Sequence, residues 1–94
     1  MITLEKNSSV ILTDNDNQYL DFLQVAIEHS DPNASINLFK SSEKITIHIT
    51  PSIDDFKNDI INNILSVHRI LHLTPIFSSS LRISKKISFN LFFK

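Results

Sequence analysis

The 94-residue chain contains no glycine, no cysteine and no tryptophan. Without glycine neither a Walker-type loop nor a dinucleotide fingerprint can form, because both need bare backbone that lets N–H groups approach phosphates. Without cysteine there is no disulfide framework and no thiolate metal site, which fits a reducing compartment. Long apolar runs are missing too. None approaches the roughly 20 residues of a membrane span, and no basic-then-apolar leader opens the sequence. The expected setting is the cytoplasm, with the nucleus as a second compartment.

What is present suits one small globular domain. Hydrophobic residues make up 41% and charged residues 20%, a balance typical of folded chains. A body of this size has a thin core. Charge is unevenly spread. From Leu81 onward come Arg82, Lys85, Lys86 and Lys94 with no acid, so the preceding residues carry all ten acids of the chain.

The order of elements can be read from apolar spacing. "SSVILT" (8–13) predicts a first strand, with Val10 and Leu12 on one face and Ile2 and Leu4 as an extension or a frayed end. "DNDN" (14–17) favours a turn or cap. In "QYLDFLQVAIEH" (18–29), Tyr19, Leu20, Leu23, Ala26 and Ile27 fall at helical spacing, with Asp21, Gln24 and Glu28 opposite. Pro32 bars Asp31 from the α region, so this helix should end by about Ser30. Alternation follows: Ala34, Ile36 and Leu38, then Ile45, Ile47 and Ile49, joined by the hairpin-length "KSSEK" (40–44). One apolar face per strand predicts an antiparallel sheet covered on a single side.

The second helix should span about 53–72. Ser52 and Asp55 suggest a capping box. Ile53, Phe56, Ile60, Ile64, Val67 and Leu71 form one stripe, and Ile61 and Leu65 form another beside it. "IFSSS" (76–80) reads as a loop, and "RISKKISFNLFFK" (82–94) as a terminal edge strand. The predicted class is α+β: a β-α-β-β-α two-layer sandwich, its antiparallel sheet covered by two helices on one face, with an added C-terminal edge strand. Residues 1–77 would form the domain and 78–94 a basic, aromatic extension.

Chemistry is thinly represented. His68 and His72 stand at i and i+4, but two ligands do not make a metal site and nothing nearby completes one. No serine lies in a glycine-framed elbow, and Asp54-Asp55 are explained as helix-start charges. No enzyme, cofactor or metal is expected. Lys57, Arg69, Arg82, Lys85 and Lys86 are the candidates for RNA contact, with Phe89, Phe92 and Phe93 near the tail cations, although the odd-position phenylalanines fit a strand pattern that buries them. Surplus apolar surface instead points to assembly. Ile61, Leu65, His68 and His72 are the candidate partner-binding face, and Ile36, Leu38, Ile45 and Ile47 the candidate dimer or sheet-edge surface.

The β-α-β-β-α order, "HSDP" (29–32) after the first helix, and "ITPSIDDFKNDIINNILSVHRIL" (49–71) with Lys57 near its start resemble one family. It is the small dimerisation subunit of the KEOPS complex, the Pcc/LAGE/CTAG family, and the likeness covers about residues 8–73. The resemblance implies a non-catalytic role in an assembly that installs threonylcarbamoyl on the adenosine beside the anticodon of tRNAs. Such a subunit dimerises, with itself or a related protein, through its sheet, docks its helices on the catalytic ATPase-like subunit, and holds tRNA indirectly or weakly. Asp59 and Asn62-Asn63 interrupt a helix start that is more apolar in the family, "KSSEK" lacks a glycine, and the tail after Phe77 has no counterpart. The alternatives are a KH-like RNA-binding module, whose Gly-x-x-Gly clamp this sequence cannot supply, and an unrelated α+β interaction or chaperone protein.

Overall fold

A computed structural model describes residues 2–8, 10–78 and 85–93. The elements run β1 (Thr3–Ser8), α1 (Asp14–Ser30), β2 (Ser35–Lys40), β3 (Lys44–Thr50), a 3₁₀ turn (Asp54–Phe56), α2 (Lys57–Ile70), β4 (Ile76–Phe77) and β5 (Ile87–Phe92). The strands form one sheet in the order β1-β2-β3-β5-β4. Both helices lie on one face of it, so the α+β two-layer arrangement holds. The core unites Leu20, Leu23 and Ile27 of α1, Ile60 and Ile64 of α2, and the inward side chains of β2, β3 and β5.

The sheet is mixed rather than wholly antiparallel. β1 runs parallel to β2, with Thr3 opposite Ser35, while β2–β3, β3–β5 and β4–β5 are antiparallel. A helical crossover returns the chain to the end from which it left, and that makes the flanking strands parallel. The first strand also lies earlier than 8–13. Thr13 caps α1: its hydroxyl accepts from Asp16 N, and Asp16 Oδ2 accepts from Thr13 N. Helix thus begins where the apolar run "VILT" would have needed to continue, and Ile11 is left 90% exposed. Ile2 and Leu4 pack on the core in its place.

Pro32 follows the end of α1 as expected, and Asp31 explains more than the stop. Fully buried, it accepts from Asn33 N, Ser52 N and Ser52 Oγ, tying the α1 exit to the end of β3. Burial pushes its pKa up, but the bonds from Ser52 and Asn33 prevail and hold it below the usual carboxylate range. Ser52 is therefore engaged across the fold and does not cap the second helix. The chain enters α2 through a 3₁₀ turn with no side-chain cap, Ile53 stays exposed, and the regular helix is shorter than 53–72.

The end of α2 shows what the lack of glycine entails. Leu73 N donates to His68 O at 2.8 Å and His72 N to Arg69 O at 3.3 Å, the two bonds of a Schellman cap. The left-handed residue that this cap requires is His72, at φ 56°. A side-chain-bearing residue occupies a position that glycine takes without steric conflict.

Beyond α2, part of the expected loop is a strand. Ile76 and Phe77 pair with Asn90 and Phe89, and the Phe77 and Phe89 rings meet at 5.6 Å. β5 joins the sheet beyond β3, and among the described residues the two-residue β4 lies outside it. Ile87, Phe89 and Leu91 are buried in the core. The portions of the predicted terminal strand at 82–84 and at Lys94 lie outside the described residues.

Candidate interaction surfaces

α2 buries one side completely. Ile60, Ile64 and Val67 close against the sheet, Phe56 and Ile61 are half-buried at its margin, and Leu65 is 41% exposed. Asn63 faces α1, donating through Nδ2 to Ala26 O at 3.0 Å and to Ser30 Oγ. Ile61 and Leu65 lie on the side of the helix away from Asn63. Of the two adjoining stripes expected for a partner, the second is thus partly spent inside the fold.

His68 is a correction. It is buried, not a helix-surface histidine. Its Nδ1 lies 2.6 Å from Ile64 O, a carbonyl that can only accept, so Nδ1 carries the proton. Nε2 then accepts from the Tyr19 hydroxyl at 2.7 Å. The ring also meets Phe89 edge-on, with centroids 5.2 Å apart. Burial lowers the His68 pKa below its usual value, with the Ile64 bond opposing, and burial pushes the Tyr19 pKa far up. The pair is a neutral, satisfied clasp between α1 and α2. His72 stands exposed past the helix end, so the two histidines share no surface. Among the described residues, no group of three or more His, Cys, Asp or Glu is placed to hold a metal ion.

Ile36, Leu38, Ile45 and Ile47 are corrected as well. They sit in β2 and β3, which are internal strands, and all four are buried beneath the helices. The full-length edge is β1. Its Lys6 lies in register with inward-facing Leu38 and donates to Asn17 Oδ1, and an inward charge on an edge strand discourages pairing with another chain.

The candidate RNA-binding cations are dispersed. Lys57 and Arg69 stand at opposite ends of α2, about 18 Å apart at 1.5 Å per residue. Lys85 and Lys86 precede β5 at the end of the sheet nearer the start of α2, and Arg82 lies outside the described residues. Phe89 is buried and removed from any stacking role, whereas Phe92 and Phe93 are exposed. The outer sheet face is mainly uncharged and internally bonded: Thr46 Oγ1 donates to Asn90 Oδ1 at 2.7 Å, and His48 Nδ1 lies 2.6 Å from Ser88 Oγ.

The open apolar surface lies elsewhere, centred on Phe22. A groove of about 530 Å³ along α1 is lined by Asp21, Phe22, Val25, Ala26 and His29 with Gln18. A second, of about 510 Å³, shares Phe22 and brings in Tyr19, Leu71 and Leu73. Leu73 and Tyr19 continue into a smaller hollow beside Phe92 and Phe93. Phe22 and Val25 are 44% and 59% exposed. Sequence reasoning missed both, although the signal was there: two large apolar residues at i and i+3 on the helix side otherwise given to Asp21, Gln24 and Glu28.

No family model matches the chain, and no curated protein is significantly similar to it.

Proposed function

We propose that the chain is a non-catalytic subunit that works by assembly, and that the assembly is of the KEOPS type, with the catalytic ATPase-like subunit as its partner. The observation that carries the reading is the uncovered apolar surface on the helical layer, running from Val25 through Phe22 to Leu71 and Leu73. Two helices on one face of the sheet agree with the layout that the resemblance implies. Burying such a surface contributes about 25 cal/mol per Å², and exposed apolar patches flanked by polar residues are where partners dock.

The docking surface differs from the one the spacing suggested. Phe22, Val25, Leu71 and Leu73 take the part given to Ile61, Leu65, His68 and His72. Self-association through the sheet would have to use the β1 edge, where the inward Lys6 opposes strand pairing. Co-purification of the tagged chain with the ATPase-like subunit tests the partner, with Phe22→Asp as the matched variant. Recovery by the wild type and loss in the variant, at unchanged circular dichroism, is the expected outcome. Absence of that subunit from wild-type eluates refutes the KEOPS assignment. Sedimentation velocity at high concentration reads self-association separately.

A further inference from the structure

Charge is divided between the two layers. Of the acids, all but Glu5 and Glu43 lie on α1, its cap, the 3₁₀ turn or α2, whereas Lys57 and Arg69 are the only described cations on the helices. Within α1 the division is regular. Asp14, Asp21 and Glu28 stand seven residues apart and are exposed. Seven residues advance about 10.5 Å and nearly two turns, so the three carboxylates form one straight row about 21 Å long. Among the described residues none of the three has an ion-pair partner. Next to the row run Phe22 and Val25, with Asp21 itself on the wall of the groove and Glu28 beside Val25 and His29.

We propose that this face of α1 docks an amphipathic helix of the partner, one that lays an apolar stripe over Phe22 and Val25 and presents Lys or Arg at seven-residue spacing to the acidic row. The inference rests on the assembly reading and adds the chemistry of what docks. A straight row of like charges beside an apolar strip is complementary to a helix with the same repeat and opposite sign, as in the flanking charges of coiled coils. A second copy of the chain is disfavoured, because α1 carries no Lys or Arg to answer the acidic row of another copy. The apolar strip supplies the affinity, and the carboxylates set orientation and reject acidic partners.

Two synthetic 18-residue helical peptides test this, identical except that Lys or Glu occupies the heptad positions beside a Leu stripe. Binding to the full chain is read by fluorescence anisotropy. The Lys peptide is expected to bind and the Glu peptide to bind at least roughly tenfold more weakly, a gap that narrows as salt rises. Phe22→Ser should weaken the Lys peptide roughly tenfold or more, as loss of a central anchor does. The triple variant Asp14→Lys, Asp21→Lys, Glu28→Lys should reverse the preference, while Asp55→Lys in the 3₁₀ turn with Asp59→Lys on α2 should not. Equal binding of both peptides, or an unreversed preference in the triple variant at unchanged circular dichroism, overturns the proposal. Because neither peptide comes from a KEOPS protein, peptide selectivity with a failed co-purification would refute only the named partner.

Discussion

His72 bears most directly on the missing glycines. It holds a left-handed conformation that costs a residue with a Cβ roughly 1 kcal/mol relative to glycine. His72→Gly is expected to stabilise the fold by about that amount, raising Tm by roughly 4–8 °C in a domain this small, as differential scanning calorimetry would show. His68 makes the opposite kind of statement. Burial lowers its pKa below the ordinary 6.5, so the unfolded chain takes up this proton at a higher pH than the folded one. Its contribution is complete above about pH 6.5 and falls as pH drops through the window down to the folded pKa, by up to about 1.4 kcal/mol per pH unit. The carboxylates of Asp16 and Asp31 act in a separate range. Burial opposes their ionisation, yet bonds from Lys40 and Thr13 to one, and from Ser52 and Asn33 to the other, keep both pKa values low. Their stabilisation is lost only as pH falls further, below the usual carboxylate range. Urea midpoints between pH 7.5 and pH 5 should therefore decline in the wild type, and His68→Gln, less stable at neutral pH, should show a flatter profile.

Among the elements, α2 has one side that folding depends on and another that it does not. Ile64→Asp buries a charge with no partner among Ile60, Val67 and the sheet, and should abolish cooperative unfolding. Leu65→Asp should change stability by less than about 1 kcal/mol, because that side chain is already half in water. Ile61→Asp falls between the two, since Ile61 packs on the margin of the core. Thermal melts of the three variants give the ranking. The stripe Ile60, Ile64, Val67 was legible from spacing alone, as were α1, the β2–β3 hairpin and the Pro32 stop, because each depends on neighbours a few residues away. The position of β1 was not. Val10 and Leu12 have strand propensity, but Thr13 and Asp16 satisfy the first turn of α1, and that local cap prevails. The start of α2 was misread for a long-range reason: Ser52 answers to Asp31, 21 residues earlier.

On the scale of the whole molecule, the layers and their covered side were readable, whereas the surfaces were not. Ile36 and Ile47 alternate as strand residues should, yet alternation does not say whether a strand is internal or at an edge. His68 and Tyr19 are 49 residues apart, and only tertiary packing turns two amphipathic-looking side chains into a buried clasp. Phe22 escapes the spacing rule because it falls outside the stripe of Tyr19, Leu20, Leu23 and Ile27. The tail reads as an extension forming an alternating strand, and its Ile87, Phe89 and Leu91 are core residues. A chain ending at residue 77 is therefore expected to lack a cooperative thermal transition, and near-ultraviolet circular dichroism would register the lost packing.

The place of β5 also governs when the protein can become native during its manufacture. Ile45, Ile47 and Ile49 leave the ribosome some forty residues before Leu91, Phe89 and Ile87, the residues opposite them. Until β5 has been made and has cleared the exit tunnel, one flank of β3 stays unmated. The nascent polypeptide thus carries an adhesive border until β5 closes it, so completion of the sheet waits on residues made well after β3.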